Sequence, residues 1–246
     1  LIKKGYKVEL IERCNSLGGR AQFFNVKGFK YDAGPTIITA PFLFKELFSI
    51  HNKKLENYIT LKPLDVWYRF IFSDGTYFDY EKSIKKTISN MQKISESDSR
   101  NYLNLLEKSK NIYDLAFCKL AHQPFHKLST MIKQIPFLLK FRSYESVYRF
   151  TSRYLSSEKL RRAFSIQPLL VGGNPFDTTC IYSLIHYLER AHGVYFAMGG
   201  TGNLVKALSK LMDEIGVNIT LNTTIEEFII KNKKIFSVID HTGKER

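Results

Sequence analysis

The feature that most constrains this chain is a short apolar run that ends on an acid. Lys7-Val8-Glu9-Leu10-Ile11-Glu12 reads as a β-strand, and six positions later comes Gly18-Gly19-Arg20. The strand follows Leu1-Ile2-Lys3-Lys4-Gly5, which reads as the last turn of a helix with its glycine stop. Helix, strand, then a glycine turn is the second half of a βαβ unit, whose first strand would lie upstream. The chain is therefore expected to be a fragment at both ends. An acid at the end of such a strand can accept hydrogen bonds from ribose hydroxyls of a dinucleotide. Alone, Glu12 reads as a surface glutamate at a strand end. Two adjacent glycines let the backbone approach a pyrophosphate, and Arg20 can add charge-assisted bonds.

The rest of the pattern predicts a discontinuous architecture. A hairpin is expected around Lys27-Gly28, with strands at 22–24 and 29–31, then a loop Asp32-Ala33-Gly34-Pro35-Thr36. A helix is expected over 41–50, with proline in its first turn. A second hairpin, 66–72 with 76–80, turns at Asp74-Gly75. Helices are expected at 81–94, 96–120, 143–155, 157–170 and 178–190. Gly199-Gly200-Thr201-Gly202 then opens an amphipathic helix over 203–215, followed by strands at 217–221, 223–230 and 235–240. The expected fold class is mixed α/β (α+β). A Rossmann-like cofactor domain would be built from 1–60 and 195–246, with a largely helical insert, 61–194, between them.

Composition narrows the partners. Hydrophobic residues make up 44% of 246, enough for a packed core. Net charge is +14, yet no compact basic block or nucleic-acid reading module occurs, so nucleic acid is not expected. Cys14, Cys118 and Cys180 have no metal-ligand spacing, which points to a reducing cytoplasm without structural zinc. No apolar run reaches the ~18 residues that cross a bilayer, so membrane contact would be peripheral. Residues 117–141 mix Phe125, Met131, Ile132, Ile135, Phe137, Leu138, Leu139 and Phe141 with Lys127, Lys133, Lys140 and Arg142. That composition suits either an interfacial helix or a substrate-domain core.

Three stretches together resemble a known family. The run from Val8 through Glu12-Arg13 to Leu17-Gly18-Gly19-Arg20-Ala21 is similar to the opening of flavin-containing amine oxidases and carotenoid desaturases. Phe29 to Thr36, and Gly193 to Leu204, look like segments of bacterial-type phytoene and diapophytoene desaturases. The resemblance implies an FAD-dependent oxidoreductase that dehydrogenates an acyclic carotenoid precursor at a membrane surface. It implies FAD contacts at Glu12, Arg13, Gly18, Gly19, Arg20, Gly34, Pro35 and Thr36, and a main-chain contact to adenine at Ile225. No catalytic acid or base is assigned; Asp32 is near the flavin segment by analogy only. His122, His126, His186 and His192 read as structural or surface residues. Three alternatives stay open: a carotenoid cis–trans isomerase, a split fragment that needs a partner chain, and an amine oxidase.

Overall fold

In the computed structural model, residues 1–124, 126 and 128–246 are described, without the side chains of 128, 130 and 131. Phe125, Lys127 and the Met131 side chain of the apolar-basic stretch lie outside that description. In chain order the strands are β1 Glu9–Ile11, β2 Phe23–Val26, β3 Phe29–Asp32, β4 Leu61–Pro63, β5 Val66–Ile71, β6 Tyr77–Glu81, β7 Tyr195–Ala197, β8 Asn218–Thr220, β9 Ile225–Lys231 and β10 Lys234–Asp240. The α-helices are α1 Pro41–Ser49, α2 Ile84–Gln92, α3 Glu96–Leu115, α4 Leu128–Lys133, α5 Ile135–Lys140, α6 Val147–Ser152, α7 Glu158–Ala163, α8 Leu184–His192 and α9 Thr201–Glu214.

Several helices are shorter than the apolar periodicity predicts, through serine and threonine caps or a change of helical pitch. Ser83 accepts from the Lys86 amide and starts α2 there; Ser146 does the same for α6 through Arg149. The expected single helix over 96–120 changes pitch at Leu115, and Ala116–Leu120 is a π-turn. The expected helix over 157–170 stops at Ala163, and Gln167–Val171, which contains Pro168, is a 3-10 turn. The helix expected over 178–190 splits into a 3-10 turn, capped by the Thr179 hydroxyl, and α8.

The chain forms two compact units, residues 1–62 with 196–246, and residues 63–195. In the first, β1 and β8 pair in parallel, Leu10 opposite Ile219, although 209 positions separate them. β2–β3 and β9–β10 are antiparallel hairpins. A buried stripe of α9, Leu204, Ala207 and Leu211, packs inward, as its amphipathic spacing requires.

The second unit is built on the β5–β6 hairpin. Alternation places Trp67, Phe78 and Tyr80 in the core with Tyr102, Leu105 and Ile112 of α3, and with Phe164 and Leu188. Asp98, in the first turn of α3, accepts hydrogen bonds from the Ser156 amide (2.8 Å), the Ser156 hydroxyl (2.7 Å) and the Ser157 amide (2.8 Å). One carboxylate thus ties α3 to the start of α7. Buried His186 bonds Gln167 and the Phe164 carbonyl, and burial lowers its pKa to about 4. It is a neutral core residue.

Candidate functional site

The sequence candidates gather in the first unit. β1 ends at Ile11, and the ladder continues one residue further: the Glu12 amide donates to the Thr220 carbonyl (2.9 Å), and the Thr223 amide donates to the Glu12 carbonyl (3.0 Å). Glu12 is therefore fixed at the carboxyl end of a parallel pair, where ligands of open α/β sheets bind. Its Oε1 accepts from the Cys14 amide at 2.8 Å. Hydrogen bonds from Cys14 hold the Glu12 carboxyl below the usual carboxylate range, so it is an anion at neutral pH. The same backbone link brings residues 222–225 to this strand end, since Asn222 also donates to the Cys14 carbonyl. Ile225 opens β9, opposite Asp240.

Gly18 and Gly19 have φ of +124° and +51°, backbone that a side chain strains to adopt. A Cβ on Gly18 would lie 3.2 Å from Val205 of α9, whereas one on Gly19 would meet nothing within 4 Å. Gly18 is thus needed for packing, while Gly19 offers an open, side-chain-free edge. Arg20 and Arg13 are exposed, and neither has an ion-pair partner among the described residues.

The loop over 32–36 meets this turn directly. A Cβ on Gly34 would stand 2.1 Å from the Arg20 carbonyl oxygen, so the two backbones touch. The Ala33 amide donates to the Gln22 carbonyl at 2.8 Å. The buried Thr201 hydroxyl at the first turn of α9 donates to the Pro35 carbonyl. Thr36 is exposed. Gly202 faces the Phe23 ring, which a Cβ on it would meet at 2.1 Å, and Gly200 faces the Asp32 carboxylate, which a Cβ on it would meet at 2.8 Å. Asp32, Phe23, Gly200 and Asn203 line an open hollow of about 300 Å³.

Sequence reading found the glycines but missed what they touch. Thr201, Phe23 and Val205 lock the Gly-Gly-Arg turn and the 32–36 loop onto α9, across 166 to 187 positions. Only the small residues at 199–202 signalled a close approach. The expected FAD residues therefore fall into two groups. Glu12 is bonded at the strand end to Thr223, two residues before Ile225, and Arg20 touches Gly34, whose neighbour Pro35 is held by Thr201. Among the described residues, no group of three or more His, Cys, Asp or Glu could hold a metal ion.

Residues 1–242 match the family described as flavin containing amine oxidoreductase. The chain belongs to that family. It is 38% identical over 240 residues to a lycopene-forming phytoene desaturase of Pantoea ananas, covering 98% of this chain and 49% of that protein. It is 37% identical over 234 residues to the one from Pseudescherichia vulneris, covering 95% and 48%. A 4,4'-diapophytoene desaturase of Staphylococcus haemolyticus is 28% identical over 235 residues, covering 95% and 47%. The chain thus spans about half the length of the curated relatives it matches. Among solved structures, an oxidoreductase from Methanosarcina mazei superposes with a TM-score of 0.62 at 16% identity, covering 100% of this chain and 52% of that one. A putrescine oxidase variant gives 0.62 at 13% identity, covering 99% and 51%. These two neighbours share the fold.

The family is flavin-dependent, and the residues present fit FAD. An anionic carboxylate stands at a parallel strand end with the charge of the exposed Arg13 acting on it, and the open glycine edge is followed by the exposed Arg20.

Proposed function

We propose that this chain forms part of an FAD-dependent carotenoid desaturase, which dehydrogenates C–C bonds of an acyclic polyisoprenoid such as phytoene or diapophytoene. The observation that carries the reading is the direct contact of Gly34 with the Arg20 carbonyl, at the glycine-rich start of α9. It joins the two segments that resemble desaturases, in a chain 38% identical to a lycopene-forming enzyme.

Bound FAD would supply the hydride acceptor, chemistry that protein side chains do not provide. Glu12 would accept hydrogen bonds from the ribose hydroxyls. Arg13 and the Gly18–Gly19–Arg20 turn would face the phosphates, and the Ile225 main chain would meet the adenine edge. Gly34, Pro35 and Thr36 would run beside the flavin, held in place by Thr201. The polyisoprenoid has no charged handle, so its binding rests on apolar surface.

A substrate of this kind dissolves in lipid, and a peripheral membrane contact belongs to the proposal. Ile132, Ile135, Leu138 and Leu139 of α4 and α5 are exposed beside Lys133 and Lys140, the composition of an interfacial segment. No helix among the described residues is long and apolar enough to cross a membrane.

The test is expression of the complete gene carrying these residues in bacterial hosts that accumulate phytoene or its thirty-carbon analogue. Coloured, more conjugated products in one host would establish desaturation and the substrate length. Unchanged precursor, alongside purified protein that holds flavin, would overturn the reading.

A further inference from the structure

Residues of α3, the π-turn, α5 and α6 line a cavity of about 720 Å³ within the 63–195 unit. Lys108, Asn111 and Leu115 recur at helical spacing, so one face of α3 forms a wall of it. The charge in that cavity is one-sided. Lys108, Lys119, Lys140, Arg142 and Arg153 line it, and Asp114 is the one acid among the lining residues.

The nearby carboxylates do not balance these cations. Asp114 is taken by Lys110, which is not part of the lining. Arg142 and Arg153 share the buried Glu145, at 3.6 and 3.2 Å, and one carboxylate cannot neutralise two guanidinium groups. Lys119 and Lys140 have no ion-pair partner among the described residues. Aromatic faces hold part of the set instead: Lys140 lies over the Phe141 ring at 5.8 Å, and Arg153 over the Phe150 ring at 5.4 Å. A ring face positions a cation but carries no net charge, so the surplus remains. Beside this charge, α5 turns Ile135, Leu138 and Leu139 to solvent.

We propose that the cavity binds the phosphate of an anionic glycerophospholipid, with the acyl chains against Ile135, Leu138 and Leu139. Guanidinium and ammonium groups converging on one hollow suit the several oxygens of a phosphate. The uncompensated cations favour a headgroup that carries no ammonium of its own, such as phosphatidylglycerol. A nucleic-acid strand needs a groove that tracks successive phosphates, whereas this site is a single hollow beside apolar side chains. The inference rests on the membrane contact in the proposed function. It adds a defined phosphate site to that contact, and its test reads lipid selectivity rather than desaturation, so either can fail alone.

The experiment is sedimentation of the complete gene product with phosphatidylcholine vesicles, with and without a minority of phosphatidylglycerol, at one ionic strength. The variant K119Q/K140Q removes two charges from the cavity. K82Q/K85Q removes two exposed charges elsewhere in the same unit, and neither of those lysines lines the cavity. The expected result is tighter binding to the phosphatidylglycerol vesicles, weakened about tenfold or more by K119Q/K140Q and less than about twofold by K82Q/K85Q. Equal weakening by the two variants would show diffuse attraction and overturn the site. Equal binding to both vesicles, or to neither, would overturn it as well. Competition separates the sources of phosphate. Water-soluble dihexanoyl phosphatidylglycerol should displace the wild-type protein from vesicles at concentrations where inorganic phosphate does not. Equal competition by inorganic phosphate would assign the cavity to a free anion and overturn the lipid. This arm uses the wild-type protein, so it decides the matter even if K119Q/K140Q fails to fold.

Discussion

Tyr68 donates its phenolic hydrogen to Glu189 Oε1 at 2.7 Å, and the glutamate is 1% exposed. Arg190, its neighbour on α8, turns elsewhere. It bonds the Tyr102 hydroxyl, the Thr87 hydroxyl and the carbonyls of Glu81 and Lys82, and lies over the rings of Trp67 and Tyr80. Glu189 is thus a buried acid whose neighbours are chiefly phenols, with no ion pair among the described residues. Burial pushes its carboxyl up to about 7, against the opposing pull of the Tyr68 hydrogen bond and the Arg190 charge.

That shift makes stability fall as pH rises. The folded chain binds this proton more tightly than the unfolded chain does. The contribution is complete below about pH 4.5, declines between 4.5 and 7, and is lost above. A shift of this size corresponds to roughly 3 kcal/mol. Glu189→Gln keeps an acceptor for Tyr68 and removes the titration. Thermal melts between pH 5 and 8 should show the wild-type midpoint falling relative to the variant's, since the rise that the neutral His186 adds below about pH 6.5 is common to both. Parallel slopes in the two proteins would refute the assignment.

Asp98→Asn should destabilise the helical unit by about 2 kcal/mol, because three hydrogen bonds to a buried charge become weaker bonds to a neutral amide. One of its two side-chain atoms becomes a donor facing donors, which adds to the cost. Chemical denaturation measures the difference. Ser156→Ala, which removes a single hydroxyl and leaves both amides in place, should cost about half as much. Equal stability of Asp98→Asn and wild type would show that the contact between α3 and α7 is not held by this charge.

What was legible in the sequence follows from the range of each interaction. The 27–28 and 74–75 turns, the start of α1 and the amphipathic α9 depend on neighbours a few positions away, and local pattern reveals them. Glu12 with Gly18 to Arg20 was legible because strand, acid and glycine turn lie within fourteen residues. The parallel β1–β8 pair, the Asp98 clamp and the seating of Phe23 on Gly202 join residues 58 to 209 positions apart. No local propensity encodes such a partner. Helix ends were misjudged where a serine hydroxyl outcompeted apolar periodicity, as at Ser83 and Ser146. The buried Glu189 was invisible for a related reason: its helix face reads as charged until the aromatic hairpin covers it.

Gly34→Ala isolates the contact between the two flavin-side segments. Gly34 does not adopt a positive φ, so the alanine is not opposed by backbone conformation. Its methyl group would instead stand 2.1 Å from the Arg20 carbonyl oxygen, and backbone must move to admit it. Overpacking of this kind costs about 1–3 kcal/mol. The 18–20 turn and the 32–36 loop would separate, so the complete gene product should lose flavin affinity as well as stability. Flavin fluorescence titration and thermal melting read the two effects. In stability, Gly19→Ala, where a Cβ meets no protein atom within 4 Å, should cost only the strain of its positive φ, while its methyl group would stand on the edge that faces the phosphates.

Glu12→Gln tests the cofactor reading with little structural disturbance. The carboxylate is held by Cys14 at the strand end, while the residue's backbone is fixed independently by Thr220 and Thr223. Exchanging oxygen for an amide nitrogen should therefore leave the unfolding midpoint near wild type. Two hydrogen bonds from ribose hydroxyls to an anion would become one bond to a neutral oxygen and one opposed donor. Charge-assisted bonds contribute about 1.5–3 kcal/mol, so FAD affinity of the complete gene product should fall roughly 10- to 100-fold. Because hydrogen bonding keeps the wild-type carboxyl ionised well below neutrality, wild-type affinity should be level from pH 6 to 8 at this group. A variant that binds FAD as tightly as wild type would remove Glu12 from the site and leave the glycine turn as its anchor.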